Sequence, residues 1–136
     1  MLLTKECDYG VRTIRALSDG KKKIVADICE AEHIPVHYAY KILKKLEHTG
    51  LVKSLRGREG GYLLARPLNR FSLYDIVVAI DKSLLIFECL KDSSLCPFLH
   101  GEQPCAIHVE FERLQTVLVA ALQSKPMQEV LAGGAP

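Results

Sequence analysis

Between Val36 and Pro67 the chain reads as one helix followed at once by one hairpin, a unit that few folds accept. Ala39, Ile42, Leu43 and Leu46 recur at i, i+3, i+4 and i+7, so this side of the segment from Val36 to Thr49 must face a core. His37, Tyr40, Lys41, Lys44 and Lys45 fall on the opposite side. Gly50 stands where a helix is stopped by a residue free to adopt positive φ. "LVKSL" and "GYLLAR" then form two short strand-like runs, joined by the glycine-rich "RGREG".

The segments before this unit are helical. Thr4 is the expected cap of a first helix over about residues 5–18, with Val11, Ile14 and Leu17 on one face. "KKK" at 21–23 reads as a solvated turn. "IVADICEAEHI" reads as a short second helix with Ile24, Ile28 and Cys29 turned inward. Pro35 suits the first position of the next helix. The order helix, helix, turn, helix, hairpin is that of a winged helix-turn-helix. The fold class expected is therefore mainly α with a small β-hairpin wing.

Charge points the same way. Residues 1–70 carry 14 lysines and arginines against 8 acids, and residues 71–136 carry 4 against 8. A basic half joined to an acidic half fits a polyanion-binding module attached to a different partner module. Val36, His37, Tyr38, Tyr40, Lys41 and Lys44 on the third helix, with Arg56 and Arg58 on the wing, are the residues expected to meet double-stranded DNA. Cations on helix and wing would displace counterions from phosphates, while the start of the helix reads base edges in a major groove. A protein-interaction role for the winged helix is the alternative.

The second half, 71–136, is expected to form a linker helix, a cysteine loop and a dimerisation helix. "FSLYDIVVAID" reads as a helix capped by Ser72. In "CAIHVEFERLQTVLVAALQS", Ile107, Phe111, Leu114, Leu118 and Ala121 make an apolar stripe that Val117 and Leu122 widen. Such a helix serves self-association, an intramolecular core, or both, one per face. A homodimer would match a palindromic operator with half-sites about 34 Å apart. Pro126 interrupts, "MQEVLA" forms a short element, and "GGAP" is expected to fray. No apolar run approaches a membrane span, and the N-terminus lacks a signal-peptide core, so a cytoplasmic protein without a membrane partner is expected. Neither a nucleotide loop nor a triad-like set is present, which argues against an enzyme.

Three of five cysteines lie in the loop 87–104 and its exit, spaced as Cys89, Cys96, Cys105 and followed by His108. Cys29 reads as a core residue, and Cys7 as either helix packing or a ligand.

"LVKSLRGREGGYLLARP", preceded by "CDYGVRTIRAL" and followed by a three-cysteine loop, resembles the IscR/NsrR family of winged-helix transcription regulators. Arg56-Gly57 followed by Gly60-Gly61-Tyr62 is the most specific part. The resemblance implies a homodimeric DNA-binding regulator that, in many members, carries an iron–sulfur cluster (2Fe-2S or 4Fe-4S) sensing iron, cluster supply, nitric oxide or redox state. Other members lack the cluster. Carried over, Cys89, Cys96 and Cys105 match the cluster cysteines, His108 the histidine ligand of the cluster-supply branch, and Asp8 a carboxylate given by the other subunit in the nitric-oxide branch. Arg56 and the segment 36–41 match the DNA-reading positions.

This chain departs from the pattern in its longer gaps between cysteines, in Tyr40 where a glutamate can stand, and in having no tryptophan, with Phe111 in its place. Thiolates suit iron–sulfur clusters and zinc alike, so zinc remains the alternative metal and a metal-free thiol switch the alternative chemistry. The fourth ligand is His108, Asp8 from the partner, His100 or water.

Overall fold

The computed structural model describes residues 2–99 and 101–133, the side chain of Leu95 excepted. Its helices are α1 (Lys5–Ala16), α2 (Val25–Glu32), α3 (Val36–His48), α4 (Leu73–Asp81), α5 (Ala106–Gln123) and α6 (Met127–Ala132). Strands β1 (Val52–Leu55) and β2 (Gly61–Leu64) follow α3. This is the mainly helical winged helix-turn-helix that the periodicity implied.

Local signals set most boundaries. The Thr4 hydroxyl accepts the Cys7 N–H at 3.2 Å and starts α1. That helix stops at Ala16, two residues short of the expected span, with Leu17 as its buried cap. Ser72 starts α4, its N–H donating to the Asp75 carboxylate at 2.7 Å. Gly50, at φ +78°, ends the turn after α3. Pro35 precedes α3 as its cap rather than opening it. β1 and β2 pair antiparallel, Val52 opposite Leu64 and Leu55 opposite Gly61.

Ile14 of α1 and its cap Leu17, Ile28 of α2, Ile42, Leu43 and Leu46 of α3, and Ile76 and Ile80 of α4 share one core, all fully buried. Each such side chain contributes roughly 1.5–3 kcal/mol by leaving water. Gly10 lets α1 lie against α4, since a Cβ there would sit 2.9 Å from the Ile80 side chain. Glu32 is also buried, and the exposed Arg15 reaches it, Nε donating to both carboxylate oxygens at 3.0 and 3.1 Å.

Two expectations are corrected. The lysine run is not merely a solvated turn: Lys23 exchanges both backbone hydrogen bonds with Tyr62, at 2.9 and 2.8 Å, and so extends the wing by one bridge. The Lys23 side chain is held as well, Nζ lying 3.0 Å from the Asp19 carboxylate, which fixes the segment beside the wing. Ile24 does not point inward. It is the N-terminal cap of α2 and 51% exposed, while Val25 packs on the core. The short element expected at "MQEVLA" is present as α6 and is anchored: Met127 is fully buried and its N–H donates to the Phe71 carbonyl at 2.8 Å. Of the "GGAP" expected to fray, 134–136 lies outside the described residues, as does His100.

α5 has no fully buried residue. Leu118 and Leu122 lean on the core, whereas Ile107, Leu114 and Val117 are exposed. Gln115 ties this helix to the chain leaving α4, accepting the Ile86 N–H at 3.0 Å and donating to the Leu84 carbonyl.

Candidate functional site

α2 ends at His33, held in the left-handed region at φ 54°, and the buried Ile34 turns the chain into α3. This corner presents the start of α3 to solvent. Val36 and Tyr40 are more than half exposed, and His37, Lys41 and Lys44 are exposed with them. Tyr38 is half-buried, its ring 5.2 Å from Tyr9 and 4.4 Å from His37.

Two α3 lysines are engaged from α1, a relationship missed at the sequence level. Glu6 takes Lys41 Nζ on Oε1 at 2.6 Å and Lys45 Nζ on Oε2 at 2.8 Å. The hydrogen bonds from Lys41, then from Lys45, hold the Glu6 carboxyl below the usual carboxylate range. The same bond raises Lys41. Lys44 makes no ion pair among the described residues.

The wing carries its arginines on an open tip. Gly57 adopts φ +101°, and its carbonyl accepts the Gly60 N–H at 3.0 Å, closing the turn. Arg56 and Arg58 flank Gly57, exposed and without an ion pair among the described residues. Lys22 donates to the Glu59 carbonyl from the other side of the wing. Cations of α3 and wing thus remain on the surface, where phosphates can reach them.

The five cysteines separate into two groups. Cys7 is buried, its Sγ 3.0 Å from Asp81 Oδ2, and burial with this carboxylate pushes the thiol up to about 11. Cys29 is buried in α2 and is raised by burial too. Both belong to the core, which resolves the ambiguity at Cys7 in favour of packing. Cys89, Cys96 and Cys105 are free, half-exposed thiols. Cys89 sits in a single 3-10 turn (Glu88–Leu90), and Cys96 follows another (Ser93–Leu95). Together they line a cavity of about 380 Å³ with Glu88, Lys91 and Asp92. Cys105 caps α5.

His108 is one turn into α5, its side chain 13% exposed and Nε2 3.2 Å from Glu112 Oε1. Its Nδ1 is buried and finds no hydrogen-bond partner. A buried ring nitrogen without a partner is costly, and a metal or a proton donor would relieve it. Asp8 lies on α1 and is held by Arg12, with Nη2 3.0 Å from Oδ2 and Nε donating to Oδ1 at 3.2 Å. Among the described residues no three His, Cys, Asp or Glu converge on one ion. The donor set nevertheless fits a soft centre in kind: three accessible thiols and, three residues along the chain from the last of them, an unpartnered imidazole nitrogen.

Among the described residues no helix is long and apolar enough to cross a membrane. A protein of Neisseria meningitidis named as an HTH-type transcriptional regulator is 32% identical over 112 residues, covering 82% of this chain and 72% of that protein. The structure of CymR, described as the global cysteine regulator of B. subtilis, superposes with a TM-score of 0.77 at 20% identity, covering 98% of both chains. T. potens IscR gives 0.75 at 22% identity, covering 98% of this chain and 92% of that one. Both share the fold. The family described as "Rrf2: Iron-dependent Transcriptional regulator" matches residues 3–133. The chain therefore belongs to the Rrf2 family of transcriptional regulators.

Proposed function

We propose that this regulator binds a palindromic DNA operator as a homodimer and that an iron–sulfur cluster on Cys89, Cys96 and Cys105 sets the strength of that binding. Residues 1–70 carry the DNA contact and 71–136 the sensing and pairing elements. Val36, His37, Tyr38, Tyr40, Lys41 and Lys44 address the major groove, and Arg56 and Arg58 the flanking backbone or groove. The exposed apolar side chains of α5 pair two subunits.

One observation carries the cluster: the three loop thiols are accessible and free while the other two are core, and the buried Nδ1 of His108, three residues after Cys105, lacks a partner. His108 is the fourth ligand in this reading, with Asp8 of the partner subunit as the competing donor. A bound cluster would supply redox-sensitive or displaceable ligation there. Gln115, which fixes the residues just before the loop, would pass a change in loop order to α5 and hence to the spacing of the two reading heads. A change of ~1.4–4 kcal/mol in operator affinity would be ~10- to 1000-fold, enough for a switch.

The test is anaerobic purification with iron and acid-labile sulfide analysis, followed by duplex binding with and without the cluster. Cys89→Ser, Cys96→Ser and Cys105→Ser should each abolish cluster retention, and His108→Ala should weaken it. Protein free of iron and sulfide after reconstitution would end the cluster reading. Identical DNA affinity in both forms would end its regulatory role.

A second reading is a thiol or zinc switch. Cys89 and Cys96 already line one cavity, and the fold is also that of CymR, described as a cysteine regulator. Colourless zinc-loaded protein, or metal-free protein whose DNA affinity changes on oxidation, would select it.

A further inference from the structure

Glu6 stands on the first turn of α1, yet both its carboxylate oxygens are spent on α3, one on Lys41 and the other on Lys45. These lysines are one helical turn apart, so a single carboxylate spans both. Lys41 belongs to the face read above as meeting DNA, and the inference rests on that reading. A phosphate arriving there meets a lysine pair already half neutralised, with an acid beside it. We propose that Glu6 is an intramolecular competitor of DNA phosphate for Lys41 and Lys45, holding down the sequence-independent part of duplex binding.

The physics is that of counterion release. Non-specific affinity is supplied by cations that replace the condensed ions of the duplex, with a salt slope of about −0.9 per phosphate neutralised. Two lysines sharing one Glu6 carboxylate keep a single net positive charge, so they release about one counterion rather than two unless the carboxylate is expelled. The charge penalty falls on every duplex alike, so base-edge hydrogen bonds supply a larger share of the affinity for a matched site. Lys44, Arg56 and Arg58 carry no such partner among the described residues and supply the basal attraction.

The test needs no operator. A fluorescent random-sequence duplex of 30 base pairs is titrated with full-length protein across a salt series. Glu6→Gln, which keeps a hydrogen-bond acceptor and removes the charge, should bind about tenfold tighter at low salt and steepen the salt slope by about one per subunit. Adding Lys41→Gln and Lys45→Gln should cancel that gain. In the parent protein the same two lysine changes should reduce the slope by about one rather than two. Unchanged or weaker binding by a folded Glu6→Gln protein would overturn the proposal. So would a full loss of two in the slope when the lysines are replaced in the parent, a measurement that stands even if Glu6→Gln does not fold. Parent protein that binds no duplex at low salt would instead reject the DNA-docking reading.

Discussion

The ring of Phe87 lies flat on that of Phe111, centroids 3.4 Å apart and planes inclined by 6°. The stack fastens the residue two positions before Cys89 to the α5 turn that follows His108. Removing a stacked ring forfeits about 0.5–1.5 kcal/mol beyond its buried area. Phe111→Ala should therefore loosen the start of the loop and speed alkylation of Cys89 several-fold, read by pulsed labelling and mass spectrometry. Equal labelling rates would mean that the stack does not order the loop.

Glu32 is buried and relies on the Arg15 guanidinium, and its carboxylate in turn keeps Arg15 above its ordinary value. Arg15→Ala strands a carboxylate in the interior and should cost about 2 kcal/mol. It falls short of the loss for a wholly buried pair because Arg15 is itself solvated. A lowered urea midpoint at constant m would report it, and an unchanged midpoint would refute it.

Gly10 has room for hydrogen only, with the Ile80 side chain 2.9 Å from where a Cβ would sit. Gly10→Ala gains about 1 kcal/mol of helix propensity but overpacks the α1–α4 contact by about 1–3 kcal/mol. The net expectation is a lower melting temperature, with Gly10→Val lower still. A stabilised alanine variant would show that α4 yields at no cost.

Cys7 ionises near 9.0 in an unfolded chain and at about 11 in the fold. Below pH 9 both states hold the proton, and the stabilisation is complete. Between about 9 and 11 the unfolded state alone loses it, so stability should fall with rising pH, by up to about 2 kcal/mol. Comparing chemical denaturation at pH 8 and 10.5 for parent and Cys7→Ala isolates this contribution, since the variant should lose less. At pH 8 Cys7 should also react with iodoacetamide far more slowly than Cys89, Cys96 or Cys105.

Leu114 and Val117 leave much of their surface in water on a helix with no fully buried residue. If two copies pair through this face, Leu114→Glu with Val117→Glu should convert dimer to monomer in sedimentation velocity and weaken duplex binding by tenfold or more, leaving the helical circular dichroism intact. Parent protein that sediments as a monomer would remove the pairing from the proposed function.

Features encoded within one or two helical turns were legible in the chain alone. The stripe of Ala39, Ile42, Leu43 and Leu46 named both the buried side of α3 and, by subtraction, its exposed face. Thr4, Gly50 and Ser72 marked boundaries because a cap acts on backbone groups three or four residues away. The cysteine spacing singled out the three thiols that prove accessible. Tertiary structure alone decided the rest. Glu6 meets lysines 35 and 39 residues away, Arg15 meets Glu32 across 17, and Cys7 meets Asp81 across 74. Lys23 became part of the wing, and Met127 part of the core, through equally distant partners. Hydrophobic period and capping act along the chain and leave a local pattern. A charge pair, a buried thiol or a close helix approach depends on which surfaces meet, and that is set only when the helices pack.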